Sequence, residues 1–152
     1  MKIKKSKTAD SRFCYHANVK FKDIIKSTKS HISDVKKGLL FACKILKKKS
    51  NTHDFTKLKY RDLFYKEFNE GFKKGTEWWK LHKKTERHHL KDIEDIPPDV
   101  NLFDIIEMII DGIMAGMART GTYRDEPIPE GLLELAYENT IKLYLNNTEV
   151  IE

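Results

Sequence analysis

Cysteine is scarce in this chain. Cys14 and Cys43 are the only two, and their separation fits neither a zinc ribbon nor a redox pair. A disulfide framework is therefore excluded as an organising principle, and a reduced intracellular compartment is the expected setting. Glycine and proline are also few, at 7 and 4 residues, so long stretches lack a helix breaker. No apolar run approaches the ~20 residues of a membrane span, which predicts no membrane association. The opening "MKIKKSK" is charged and no apolar segment follows it, so no secretory signal is expected. Alternating apolar and polar residues never persist beyond a few positions, which argues against sheet. The chain also has no G-x-x-x-x-G-K loop, no G-x-S-x-G elbow and no H-E-x-x-H helix, so these phosphate-loop, serine-hydrolase and zinc-protease motifs are absent.

What is present is charge, unevenly spread. The 152 residues are 34% charged and 39% hydrophobic, with net charge +6. Residues 1–60 hold 17 Lys and Arg against 4 Asp, a net of +13, while residues 92–152 hold 3 against 14, a net of −11. Such asymmetry either keeps the surface soluble or creates a positive field that draws anions such as nucleotides. The length suits one domain with a real core.

Apolar spacing predicts helices throughout. Ile32, Val35, Leu39, Ala42 and Leu46 recur at three and four in a helix over about 31–48, with Ser30 as N-cap and His31 in the first turn, able to face inward. A second helical region covers about 53–72, and Thr76 caps a third over about 77–95, stopped by Pro97 and Pro98. Asn101 caps a fourth that Gly121 closes, and a last helix runs over about 130–146. The expected class is all-α, a compact single-domain bundle of five or six helices over 13–152, behind a flexible basic arm at 1–12.

Ligand-type side chains fall on four of these segments: His31; His53 and Asp54; His82, His88 and His89; and Asp111, with Glu107 one turn before it. Imidazole with carboxylate suits Mn, Fe, Co, Ni or Zn, and two ions bridged by one carboxylate need about this many ligands. Each residue also has a plainer role as a cap or a solvated polar face. His82 and His89, seven apart, share a face in a continuous helix, which favours His89 over His88; a kink near Thr85 reverses that choice. In the fourth helix Ile106, Ile109, Ile110 and Ile113 mark the core face, with Asp104, Glu107 and Asp111 opposite. The small residues Gly112, Ala115, Gly116 and Ala118 flank Asp111 and point the other way, to packing on most sides. Trp78 and Trp79 beside Lys80 could stack bases, although Trp78 and Leu81 share a face and fit a core.

The order of these candidates, H…HD…H…HH…D, resembles the HD-domain superfamily of metal-dependent phosphohydrolases. "HDFTK" is similar to the H-D-x-x-K of its HD-GYP phosphodiesterase branch, and "HISDV", "THDFTK", "LHKKTERHH" and "IEMIID" resemble, in order, the motifs of a family of small HD-like proteins of phages and bacteria. The resemblance covers about residues 30–125. Thr56 stands where that family has Ser, "TERHHLK" lacks its Asn and Pro-Glu, and Gly112 stands where a Trp usually follows the Asp. The resemblance implies an all-α fold around a central site for a divalent transition metal, in a two-ion arrangement. Asp54 would be the bridging carboxylate. His31, His53 and Asp111 would complete one site, and His82 with His88 or His89 the other. Lys57 would hold a phosphate oxygen; Arg87 and Arg119 are further candidates for substrate binding that the sequence itself does not place.

The function this implies is hydrolysis of a small phosphate ester in the cytoplasm (the host's, for a phage protein). A nucleoside monophosphate is foremost, because 152 residues leave little room for a second substrate domain. A phosphodiesterase of cyclic or linear nucleotides is the alternative. A further one is a non-enzymatic basic protein that binds nucleic acid and carries a structural metal.

Overall fold

The structure, a computed structural model, describes residues 1–5, 20–72, 76–123 and 127–152. Its described residues form six α-helices: α1 (Phe21–Thr52), α2 (Phe55–Lys59), α3 (Arg61–Asn69), α4 (Glu77–Thr85), α5 (Leu102–Thr120) and α6 (Leu132–Asn146). A single 3-10 turn covers Ile93–Asp95, and two short strands, β1 (Lys2–Lys4) and β2 (Glu149–Ile151), pair in parallel. The all-α class is as the sequence predicts. Among the described residues no helix is long and apolar enough to cross a membrane. Of the arm expected over 1–12, residues 2–4 are strand β1, while residues 6–12 and Cys14 lie outside the described residues.

The chain falls into two compact units, one of Met1–Leu46 with Lys142–Glu152, the other of Lys47–Ile141. In the first, β1 pairs with β2 in the register Ile3 to Val150. Tyr144 donates its hydroxyl to the Gly38 carbonyl at 3.0 Å and sets its ring edge-on to Phe41. The helix expected at 31–48 begins ten residues sooner, so Ser30 is interior to α1 and caps nothing. His31, Ile32, Val35 and Leu39 are exposed rather than turned inward.

The second unit carries the larger core. Leu90, Val100, Ile105, Met108, Leu132 and Ala136 are buried together, with Ile96 and Leu102 packed against them. A second apolar group gathers Phe64, Phe68, Phe72 and Trp78 at ring separations of 4.6–6.1 Å. The start of α5 is held by a cap: the Asn101 side chain accepts from the Phe103 amide at 3.0 Å, and Asp104 accepts from the Asn101 amide at 3.0 Å. Gly121, at φ 68°, closes the same helix in the left-handed conformation that glycine adopts without strain.

Three expectations about this unit need correction. The region 53–72 is not one helix, because Tyr60, at φ −115° and ψ 39°, separates α2 from α3. The third helix does not reach residue 95, because Glu86 takes an extended backbone and ends α4 at Thr85. The core face of α5 is also not its isoleucine face. Ile106, Ile109 and Ile110 are 37%, 40% and 49% exposed, while Asp104 is fully buried and Ile105, Met108, Gly112 and Gly116 face inward.

Candidate metal centre

His53 and Asp54 form the turn between α1 and α2, and the left-handed backbone of Asp54 (φ 55°, ψ 20°) breaks the chain direction there. Aspartate visits this conformation more readily than most residues, since its short polar side chain can bond locally. The second unit then brings α4, the segment after it, and α5 around this turn. His82 on α4 is 1% exposed, and His88 just beyond α4 is 2% exposed. Asp111 comes from α5, one turn after Glu107.

The polar atoms of these residues converge. Asp54 Oδ1 lies 3.5 Å from His82 Nε2 and 3.7 Å from His88 Nε2. His89 Nε2 lies 2.8 Å from His82 Nε2. On the α5 side, His53 Nε2 is 3.6 Å from Asp111 Oδ1 and 3.7 Å from Asp54 Oδ2, and His88 Nε2 is 4.0 Å from Asp111 Oδ2. Two overlapping groups among the described residues could hold a cation: Asp54, His88 and His89, and His53, His88 and Asp111. Two ligands on one ion, each at about 2.0–2.2 Å, stand about 2.9–3.6 Å apart in tetrahedral or octahedral geometry, close to most of these separations.

Two of the converging atoms have no hydrogen-bond partner. Asp54 Oδ1 and His88 Nε2 are both buried and unbonded. A buried polar atom left unpaired costs ~1–3 kcal/mol, and an acceptor oxygen facing imidazole nitrogens is the donor set a borderline divalent metal prefers. On these atoms the residues fit the ion that the resemblance implies.

The surroundings tune the charges toward the same end. Burial, against the attraction of Asp54, pushes the His82 imidazole down to about 4. Burial together with repulsion from His88 and His82 pushes His89 to about 3. Both rings are therefore neutral near pH 7 and each keeps a lone pair to offer. Burial raises the Asp54 carboxyl, but the bond from Lys57 and the nearby His53 and His88 outweigh it, so its net shift is downward. Glu107 is held at about 2: burial opposes ionisation, and His88, Lys49 and His53 overcome it. Glu107 Oε1 meets His53 Nδ1 at 3.1 Å and lies 3.6 Å from His88 Nδ1.

Other expected site residues fall as follows. The Lys57 ammonium pairs with Asp54 Oδ2 and remains 39% exposed. His88 and His89 both turn into the cluster, because they follow the end of α4 and are free of the 100° rotation that a helix would impose between them. Arg87 is committed elsewhere. Its Nε and Nη2 donate to Asp104 at 3.0 and 2.8 Å and its Nη1 to Asp99 at 2.9 Å, and these bonds raise its already high pKa. Arg119 is exposed near the end of α5, with Nη1 3.5 Å from the Ala115 carbonyl. His31 belongs to the first unit and to neither cation-binding group. Trp78 is buried and stacked on His82 at 4.5 Å, so it is core and not a base-stacking platform.

Four participants carry no site role in the sequence reading. Lys49 donates to Asp104 at 2.6 Å and to Glu107 at 2.7 Å, tying the end of α1 to α5 within the second unit. Asp104 takes up both Lys49 and Arg87. Thr56 and Glu86 are buried beside His82. Only the i, i+4 spacing of Glu107 and Asp111 marks that face from sequence. No protein-family model, curated protein or solved structure matches the chain.

Proposed function

We propose that this protein is a metal-dependent phosphohydrolase acting on a small phosphate ester, foremost a nucleoside monophosphate. One observation carries the reading: the buried and unpartnered Asp54 Oδ1 faces the imidazoles of His82 and His88 at 3.5 and 3.7 Å. His53, Asp54, His82, His88, His89 and Asp111 are the residues that would hold divalent transition metal, with two adjacent positions that share His88. His31, assigned to one of them by the resemblance, lies outside both groups, as does His82. Such ions, when bound, supply Lewis-acid polarisation of a phosphoryl oxygen and activation of water near neutral pH.

The chain's own residues supply position and charge. Lys57 holds a protonated ammonium against Asp54 Oδ2 and remains partly open to solvent. From there it meets a non-bridging phosphate oxygen as a point charge and offsets the negative charge of the transferring group. Glu107 holds His53 through Nδ1, which leaves His53 Nε2 aimed at Asp54 and Asp111. Lys49 in turn holds Glu107 and Asp104, and with them α5.

The test is elemental analysis of the purified chain, followed by assays with Mn, Fe, Co, Ni and Zn on nucleoside monophosphates, other phosphomonoesters, and cyclic and linear phosphodiesters. The expected result is bound transition metal and metal-dependent release of phosphate from a nucleoside monophosphate. Activity confined to phosphodiesters would replace the substrate with the alternative class. An absence of bound metal, with no hydrolysis on addition of any ion, would overturn the reading.

A further inference from the structure

We propose that Glu86 and Thr56 form a positioning relay that holds His82 as its Nδ1–H tautomer, with the Nε2 lone pair aimed at Asp54 and His89. This deepens the metal-dependent reading and rests on it for its purpose, although not for its geometry. All three residues are buried. Glu86 Oε1 accepts twice from Thr56, from the backbone amide at 3.0 Å and from the hydroxyl at 2.7 Å. Thr56 Oγ1 also lies 2.6 Å from His82 Nδ1.

The direction of the chain of bonds follows from counting hydrogens. A threonine hydroxyl has one hydrogen to give. Glu86 Oε1 accepts at both of its contacts with Thr56, so at the hydroxyl contact Thr56 donates. Its hydrogen is then spent, and toward His82 it can only accept. Nδ1 of His82 therefore carries the proton, and in the neutral ring Nε2 is bare. That bare nitrogen stands 2.8 Å from His89 Nε2 and 3.5 Å from Asp54 Oδ1. Trp78, stacked on His82 at 4.5 Å and 18°, fixes the plane of the ring. Outer partners of this kind set both the tautomer and the orientation of metal-binding histidines, and losing one typically costs 10–100-fold in affinity.

The experiment has two readouts on the full chain. The first is long-range proton–nitrogen NMR of the metal-free, 15N-labelled protein at pH 7, with His82 assigned by loss of its signals in His82→Gln. The second is Zn2+ titration by calorimetry. The parent is expected to show His82 with a protonated Nδ1 and a bare Nε2. Thr56→Val, close in shape but without the hydroxyl, should lose that preference and bind Zn2+ about 10–100-fold more weakly. Thr56→Ser should restore both. Nε2–H at His82 in the parent, which needs no variant to be seen, would overturn the relay. So would a Thr56→Val protein with the parent's tautomer. If the tautomer behaves as expected while neither parent nor variants bind Zn2+, Mn2+ or Co2+, the relay stands and the metal reading falls.

Discussion

Asp54→Asn separates a metal ligand from a merely structural aspartate, because the two roles predict opposite patterns of stability. Asparagine adopts the left-handed backbone seen here (φ 55°, ψ 20°) about as readily as aspartate and has nearly its shape. The variant loses the ion pair with Lys57, whose side chain is 39% exposed; a pair that open contributes ~0–1 kcal/mol. It also removes the need to bury a carboxylate oxygen that has no hydrogen-bond partner, which offsets that loss. Metal-free Asp54→Asn should therefore unfold within about 2 °C of the metal-free parent. With ion present the parent should rise. A ligand at 100 times its Kd adds ~2.7 kcal/mol, and a chain of about this size gains ~2–4 °C in Tm per kcal/mol, or roughly 5–10 °C in all.

Both tryptophans lie in the unit that contains Asp54, so thermal unfolding followed by tryptophan fluorescence reports on the relevant part of the molecule. Each protein is melted with chelator and then with excess Mn2+ or Zn2+. The expected pattern is parent and variant together under chelator, and the parent alone shifted by the ion. A variant that keeps the full shift would refute the role of Asp54 as a ligand. A variant many degrees lower under chelator would mean that its carboxylate is structural.

Three further outcomes follow from the geometry. Lys57→Ala should keep its metal content and lose about 10²-fold in turnover of the phosphate ester, the range for removing one electrostatic stabiliser; Lys59→Ala, whose ammonium lies over Tyr60 at 5.0 Å, is the control, and equal rates in both would place Lys57 on an ordinary surface. His82 and His89 have folded pKa values depressed to about 4 and about 3 from an ordinary 6.5, so between pH 6.5 and 4 the unfolded chain binds more protons than the folded one and stability falls as pH falls. Urea unfolding of the metal-free protein should show that decline already between pH 7 and 5, before the carboxylates titrate, and a flat profile there would contradict the buried neutral rings. Glu67 closes the start of α4 by accepting from the Trp78 and Trp79 amides at 2.8 and 3.3 Å, so Glu67→Gln should speed hydrogen exchange at those two amides, whereas unchanged exchange would show that the cap is dispensable.

How much of this could be read from the sequence depends on whether the cause of each feature lies near it in the chain. In the second unit α5 announces itself locally. Asn101 and Asp104 sit at capping-box spacing, Gly121 closes α5, and Pro97 and Pro98 stop anything before it. The chemistry of the centre is legible too, because imidazole and carboxylate declare themselves by residue type. The face that α5 buries is not. Its isoleucines and its glycine-rich side are both compatible with a core, and hydrophobic periodicity weighs the larger side chains more heavily. The buried face is the one that carries Gly112 and Gly116 and where Lys49, from the end of α1, meets Asp104 and Glu107. That choice rests on a partner more than fifty residues away.

The pair His88 and His89 makes the same point more sharply. Within residues 77–95 nothing marks Glu86 as an end: the stretch is rich in helix formers up to Pro97, and a continuous helix would let only one of the two histidines join His82. The end comes from outside. The Glu86 carboxylate is engaged by the amide and hydroxyl of Thr56, thirty residues earlier, and its backbone is extended at φ −91° and ψ 103°. Once α4 stops there, the next residues are no longer bound to helical rotation, and Arg87 turns to Asp104 and Asp99 while His88 and His89 both reach the centre. The contact that orders His82 is thus made by the residue that releases His88 and His89, and the choice the spacing posed between the two histidines does not arise.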